Sequence, residues 1–258
     1  MQQISFIAGN MLQTKVLLQP KAGKKNGKKN ITAAFIALFL GDAKTLLSLM
    51  KAKFPELGLK KEDYKETSWI KSVLLWTQFP DGTPENAVLN RASASSSFKI
   101  KSDFVTTPIP KDGLQSVLEK LAESGDIWMV LNPYGGRMTE IPESAAAFPH
   151  RAGNIYKIQY VLYWNEPGAE AEKRKIYETR KFYNYMTPFV SKNPRAAFLN
   201  YRDIDIGSTD NGRNAYNEAQ VYGVKYFKGN FNRLVKVKTD VDPENFFRNE
   251  QSIPPLKN

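Results

Sequence analysis

Two polar side chains, Lys157 and Gln159, are two positions apart in the largely apolar stretch 154–164 of this 258-residue chain. Successive side chains of a β-strand point to opposite faces, so a strand here would direct both groups toward one ligand. This polar face could simply meet water, which an antiparallel sheet tolerates. Alternatively, a further domain could cover the face, and burial would then lower the pKa of Lys157.

The rarest residue types restrict the chemistry. The chain has no cysteine and a single histidine, His150. Disulfides, cysteine-based zinc sites and cysteine nucleophiles are therefore excluded, and a Ser-His-Asp triad would have to include His150. No glycine-rich dinucleotide or P-loop motif is present. The acid–base groups of an enzyme would thus be Tyr, Lys, Asp or Glu; we predict no metal site and a structural role for His150.

Composition indicates a globular protein, because 41% of the residues are hydrophobic despite a net charge of +11. No apolar run is long enough to span a bilayer, and the first residues lack a signal-peptide pattern. Five lysines lie in the segment 21–30. They could contact nucleic acid, but the glycines and asparagines between them favour a solvated hairpin connection, so we predict no nucleic-acid partner. Asn30, in Asn30-Ile31-Thr32, is a candidate glycosylation site.

Hydrophobic periodicity predicts an α+β fold, an antiparallel sheet with helices on one face. One face of the strand 154–164 is apolar and is expected to lie under the helices; it carries Tyr156, Ile158, Tyr160, Leu162 and Trp164. The helix after Gly41 is expected to be capped by Asp42, and the next by Ser68. The predicted strands are 14–19, 32–40, 98–104, 127–131, 154–164 and 196–201, and the other predicted helices are 67–76, 111–123, 169–185 and 214–235, followed by an extended arm over 242–256.

Several long motifs carry a family resemblance. They include Asn200-Tyr201-Arg202-Asp203 within 199–207, Asn132-Pro133-Tyr134-Gly135-Gly136, and Phe148-Pro149-His150-Arg151. Through these motifs the chain resembles the berberine bridge enzyme-like flavoproteins of plants, which are FAD-linked oxidases of the vanillyl-alcohol oxidase superfamily. Further matching stretches are 37–42, 54–58, 185–195, 225–238 and 242–255.

The resemblance implies the substrate-domain half of such an oxidase. Residues 1–207 would form the substrate-binding domain, and residues 208–258 a berberine-like C-terminal segment that packs on the FAD domain. That FAD domain, with the histidine and cysteine that attach the flavin, is missing from these 258 residues. We therefore expect the isolated chain to be catalytically inactive.

The same resemblance assigns roles to individual residues. Tyr201 matches a catalytic base, Lys157 the lysine that keeps this tyrosine as phenolate, and Gln159 a polar residue of the same site. Leu40 and Asn132 match substrate-lining positions, and Asn200 and Tyr201 are expected to contact the cofactor. The pairing has a physical reason, because a free tyrosine is protonated at neutral pH unless a nearby cation favours the phenolate. Judged from the residues alone, a buried core tyrosine with a satisfied hydroxyl is the favoured interpretation of Tyr201.

The function implied by the resemblance is oxidation of an alcohol, either monolignol-like or a carbohydrate. Hydride would pass to FAD, and molecular oxygen would be the final acceptor. The competing interpretation is a non-catalytic binding or interaction module with bare apolar surface. Family members are secreted to the cell wall or the endomembrane system, in agreement with the Asn30 triplet, whereas the absence of a signal-peptide pattern predicts a cytosolic chain.

Overall fold

A computed structural model describes residues 11–23, 29–77, 79–91, 96–212 and 214–256. These residues form a five-stranded antiparallel sheet of strand order β2-β1-β4-β5-β3, which confirms the predicted α+β fold. The first two strands form the predicted hairpin; residues 24–28 of its lysine-rich connection lie outside the described residues. The strands are β1 (Leu12–Ala22), β2 (Lys29–Phe39), β3 (Ser97–Val105), β4 (Trp128–Pro133) and β5 (Tyr156–Trp164).

Six α-helices are described, and both predicted caps are confirmed. The Asp42 carboxylate accepts a hydrogen bond from the Thr45 amide at 2.7 Å, and the Ser68 hydroxyl accepts one from Lys71 at 3.5 Å. These bonds satisfy amides that have no partner inside the first helical turn. The helices are α1 (Ala43–Lys53), α2 (Trp69–Trp76), α3 (Lys111–Ser124), α4 (Ala169–Tyr185), α5 (Ala215–Phe227) and α6 (Phe231–Val241).

The predicted apolar face of β5 is confirmed as the centre of the core. Tyr156, Ile158, Tyr160 and Leu162 are all buried and pack with side chains of α3 and α4, which cover this face of the sheet. The helical partners that share this cluster are Val117, Leu121 and Phe182. Burial of such side chains stabilises the fold by about 1.5–3 kcal/mol each.

Two predicted elements are wrong in detail. The helix predicted over 214–235 is interrupted by a 3₁₀ turn, Lys228–Asn230, where Lys228 has a left-handed φ of 46°, and helix continues to Val241. The segment 196–201 is not a strand and ends in a 3₁₀ turn, Leu199–Tyr201. Its backbone bonds to two different layers, the Ala197 amide to the Lys225 carbonyl of α5 and the Phe198 amide to the Ser102 hydroxyl of β3, so no ladder forms.

Close packing of α5 on α6 gives a stability prediction. A Cβ added at Gly223 would lie 2.3 Å from the ring of Phe231, closer than packed atoms approach. We expect Gly223→Ala to lower the free energy of unfolding by about 1–3 kcal/mol, measured by urea titration. Gly229→Ala is the control, because a Cβ there meets no atom within 4 Å. An equal effect of the two substitutions would contradict this packing.

Candidate functional site

The candidate site lies on the sheet face opposite α3 and α4, at the start of β5. Lys157 alternates along β5 with Tyr156 and Ile158, which face the helices, so its side chain occupies the other face. Its cross-strand neighbours on that face are Asn132 of β4 and Phe104 of β3. An amine, an amide and an aromatic ring therefore meet at this point of the sheet.

The segment 196–201 covers Lys157. The Lys157 ammonium nitrogen lies 3.6 Å from the centroid of the Phe198 ring and 4.6 Å from that of Tyr201. Lys157 is only 8% exposed, so the expectation that this face simply meets water is wrong at its position. This cover is supplied by Phe198 and Tyr201 of the chain itself.

Lys157 is a desolvated cation held by aromatic faces. Burial lowers its pKa to about 8. Within the described residues its nitrogen has no carboxylate or hydrogen-bond partner, and its contacts as a cation are with the two rings. Cation–π contacts of this kind contribute about 0.5–2 kcal/mol, which does not offset full desolvation. A charge without a counter-ion can act on whatever ligand enters the site.

Tyr201 is brought next to Lys157, as the resemblance implied. Burial raises the pKa of Tyr201, so its hydroxyl is protonated at neutral pH in this chain. The contact shown runs from the Lys157 nitrogen to the tyrosine ring. The structure therefore places the Tyr201 ring beside the Lys157 ammonium, and a cation at this distance would favour the phenolate over the phenol.

Asn132 and Gln159 complete the polar surface. The Asn132 carbonyl oxygen Oδ1 is buried and has no hydrogen-bond partner among the described residues, which leaves an acceptor free for a ligand. Gln159 is half-buried on the same face as Lys157, opposite Ser102 of β3 and Val130 of β4. An unpaired buried acceptor is costly in a folded chain, so it points to a binding role.

The other sequence-predicted residues lie further out. Leu40 follows β2, three strands away from β5, and is 59% exposed, so the structure does not bring it to Lys157. Asn200 is exposed beside Tyr201, and Asn30 is exposed at the start of β2, where a glycan has room. The described residues contain no cluster of three or more His, Asp or Glu side chains that could hold a metal ion. Nor is any described helix both long and apolar enough for a bilayer crossing.

Sequence reasoning missed the aromatic residues that enclose the site. Phe198 contacts Lys157. Tyr134 lies close to Tyr201: burial raises the pKa of Tyr134, and the electrostatic interaction with Tyr201 raises it further. His150 stacks on Phe104 at 4.1 Å, and burial lowers its pKa to about 4, so it is neutral, in agreement with a structural role. The sequence does carry a signal for this enclosure: Tyr134 lies two positions after Asn132, and Phe198 lies three positions before Tyr201.

Solved structures show the class of protein that this fold defines. A berberine bridge enzyme-like protein of Arabidopsis thaliana, number 28, superposes with a TM-score of 0.86 at 42% identity, covering 99% of this chain and 52% of that one. A grass pollen allergen with glucose dehydrogenase activity, Phl p 4, gives a TM-score of 0.88 at 41% identity over 100% of this chain and 51% of that one. The fold is the substrate domain of such flavoproteins.

Sequence comparison places the chain within this class. The family model "Berberine and berberine like" matches residues 197–254. Berberine bridge enzyme-like 14 of Arabidopsis thaliana is 53% identical over 231 residues, which are 89% of this chain and 44% of that relative. The chain belongs to the berberine bridge enzyme-like family and spans about half the length of the curated relatives it matches. Members of the family are FAD-linked oxidoreductases and are generally secreted.

The residues at the site fit a flavin. A flavin ring carries carbonyl oxygens that attract a cation, and Lys157 supplies a cation that has no carboxylate partner among the described residues. Tyr201 contacts Lys157 on this surface, and the next residue back along the chain, Asn200, is exposed. The described face therefore suits FAD, although no phosphate-binding motif lies in this chain.

The depressed pKa of Lys157 has a consequence for stability. Below about pH 8 Lys157 is charged in both the folded and the unfolded state, so folding must desolvate the charge. Between about pH 8 and pH 10 Lys157 loses its proton in the folded state only. The free energy of unfolding therefore rises with pH over this range. We expect Lys157→Met to raise the free energy of unfolding at pH 7 by about 1–3 kcal/mol, a gain that shrinks toward pH 10. Urea titrations at pH 7 and pH 10 measure this.

Lys175→Met is the matched control. Lys175 pairs with Asp126 at 2.7 Å, which raises rather than lowers its pKa. Its removal should therefore give no gain at pH 7. A Lys157→Met variant that is no more stable than the native chain at pH 7 would contradict the desolvated state of Lys157.

Proposed function

We propose that this chain forms the substrate-binding part of an FAD-dependent oxidase that acts on an alcohol. The observation that carries the proposal is Lys157, a buried amine enclosed by Tyr201 and Phe198 that has no counter-ion in the described part of the chain. Beside it is the Asn132 acceptor, which is also unpartnered there. The relatives support an oxidoreductase, and the glucose dehydrogenase activity named for one of them supports a carbohydrate alcohol. A phenylpropanoid alcohol of the monolignol type is the other substrate that we propose.

Each residue has a defined task in this reaction. Asn132 and Gln159 bind hydroxyl groups of the substrate, with Leu40 further out along its path. Tyr201 takes the hydroxyl proton as phenolate, and the positive charge of Lys157 favours that phenolate over the phenol. FAD, when bound, would supply the acceptor for the hydride of the carbinol carbon, with Asn200 and Tyr201 of this chain contacting it, and molecular oxygen would be the final electron acceptor.

Flavin retention and turnover test the proposal. We would join this chain to the remaining part of berberine bridge enzyme-like 14, in place of the segment to which it is 53% identical. The isolated chain should lose all flavin absorbance on desalting and form no hydrogen peroxide. The chimera should stay yellow and oxidise sugars or phenylpropanoid alcohols. A yellow chimera that turns over no alcohol would refute alcohol oxidation, and peroxide formation by the isolated chain with FAD would refute its inactivity.

A second candidate is a non-catalytic binding module. Three exposed aromatic side chains lie together on the sheet face of Lys157, toward the other end of β5: Tyr163 lies 6.1 Å from both Phe98 and Trp128, measured between ring centroids. Exposed rings of this kind suit the C–H face of a sugar. Saturable binding of an oligosaccharide to the isolated chain, unaccompanied by turnover in the chimera, would favour this function.

We also propose that residues 1–207 form the substrate-binding domain and that the segment 208–258 packs on the FAD-binding part. Phe246 and Phe247 support this, because they are 75% and 77% exposed although the Asp242 carboxylate fixes both of their amides. We expect the double variant Phe246→Ser, Phe247→Ser to reduce self-association of the isolated chain and flavin retention in the chimera. Sedimentation and flavin absorbance measure these effects.

Leu89→Ser is the control for surface hydrophobicity, since Leu89 is 78% exposed but lies outside the C-terminal segment. It should leave flavin retention unchanged. Normal flavin retention in the double variant would contradict the packing proposed for the C-terminal segment.

A further inference from the structure

A buried cluster of ion pairs joins β3 to the segment that carries Tyr201. Lys101 lies 2.5 Å from Asp203 and 2.9 Å from Asp205, and the neighbouring Lys99 lies 2.8 and 3.0 Å from the same two carboxylates. Lys101 is 2% exposed and Asp203 4%. Arg180 of α4 adds a two-pronged contact to Asp205 at 2.5 and 2.9 Å. The cluster contains three cations and two carboxylates, and each of these five groups has at least one partner of opposite charge.

The cluster lies next to the candidate site in sequence and in space. Asp203 is two residues after Tyr201, and Lys101 precedes Ser102, whose hydroxyl accepts the Phe198 amide at 2.9 Å. On the other side of the segment, Arg195 forms two hydrogen bonds with Asp103 of β3, at 2.6 and 2.7 Å. The backbone from 195 to 205 is thus fixed to β3 at both ends, with Phe198 and Tyr201 between the two attachments.

The C-terminal segment fixes the same point from the opposite side. The Asp203 amide donates to the Tyr226 hydroxyl at 3.1 Å, and the Gln251 side-chain amide donates to the Asp203 carbonyl at 2.9 Å. The Tyr226 hydroxyl in turn donates to the Gln251 side-chain oxygen at 3.1 Å. The side chain and both backbone polar groups of Asp203 are therefore engaged.

We propose that Lys101 and Asp203 are positioning residues that hold Tyr201 and Phe198 over Lys157. This inference rests on the proposed function, in which Tyr201 is the base. Buried ion pairs add little net stability compared with apolar replacements, but they fix geometry because each partner tolerates few arrangements. Here the geometry that they fix is the distance between the phenol ring and the amine.

The test uses the enclosure of Lys157 itself and needs no flavin. The double variant Lys101→Met, Asp203→Asn removes one charge of each sign, so it avoids leaving an unpaired buried ion. We would follow the Lys157 side chain by NMR in protein carrying ¹³C-labelled lysine, assigned with Lys157→Arg. When Phe198 and Tyr201 are held less firmly over Lys157, water reaches its amine, and the pKa of Lys157 should rise from about 8 by one unit or more. The uncharged fraction of Lys157 at pH 7 would then fall about tenfold or more.

Two further variants keep the result interpretable. Asp126→Asn, Lys175→Met removes another pair, which joins α4 to the turn before β4, and should leave the pKa of Lys157 unchanged. If the Lys101 double variant does not fold, Tyr226→Phe removes the acceptor of the Asp203 amide and should give a smaller rise. An unchanged Lys157 in every folded variant would overturn the inference.

In the chimera, the Lys101 double variant should lower kcat more than it raises KM. Failure of Tyr201 as the base would be seen separately, as full turnover by a Tyr201→Phe chimera, and failure of the proposed oxidase as a yellow chimera that turns over no alcohol. The NMR result would then still decide whether the cluster positions Tyr201.

Discussion

Replacing Tyr201 with phenylalanine in the chimera should lower kcat for alcohol oxidation by about a hundred- to ten-thousandfold, the range expected when a general base is lost. Phenylalanine keeps the ring that lies 4.6 Å from the Lys157 nitrogen and removes only the hydroxyl. Flavin absorbance should be unchanged, because the cation–π enclosure persists. Steady-state peroxide formation measures kcat, and stopped-flow bleaching of the flavin isolates the reductive step.

Tyr177→Phe is the control, because this tyrosine is 64% exposed on α4, which covers the sheet face opposite to that of Lys157. It should leave kcat unchanged. If the Tyr201→Phe chimera reduces its flavin at the native rate, Tyr201 is not the base and is a core tyrosine.

The pH dependence of kcat should report Lys157. The phenolate of Tyr201 needs a cation beside it, and Lys157 loses its charge as the pH rises through about 8. We therefore expect the rate to fall above pH 8, in addition to a fall at low pH where Tyr201 holds its proton. Lys157→Met should lower the rate tenfold or more at pH 7, because burial alone raises the pKa of Tyr201.

Lys157→Arg distinguishes the charge from the amine. Arginine stays protonated across this range, so the decline above pH 8 should disappear while activity persists. A decline that survives in Lys157→Arg would show that another group titrates there. A rate that is unaffected in Lys157→Met would exclude any role of the cation in forming the phenolate.

Local sequence patterns determined most elements of the fold. The helix predicted over 169–185 has the observed bounds of α4, because apolar spacing and helix formers agree along its whole length. Asp42 and Ser68 cap helices as expected, since a cap depends on a bond that spans only three residues. Alternation along β5 predicted the buried face correctly, because successive side chains of a strand point to opposite faces and this depends only on near neighbours.

Family motifs, rather than periodicity, pointed to the site. Alternation placed Lys157 and Gln159 on one face but could not say what covered it. The motif around Tyr201 linked that residue to Lys157, and the structure brings the two together. The separate roles of Tyr201, Lys157, Gln159, Asn132, Asn200 and Leu40 remain predictions for the experiments above.

By itself the sequence determined the α+β class, the apolar face of β5 and the absence of cysteine chemistry, because each follows from composition or from contacts between near neighbours. Only the tertiary structure decided that 196–201 is not a strand, that Phe198 covers Lys157, and that Lys101 binds Asp203 across 102 positions. Such contacts depend on the path of the whole chain around the edge of β3. Local periodicity therefore cannot predict these contacts. The burial of Lys157, and with it the lowered pKa of its amine, follows from the path of the chain around β3.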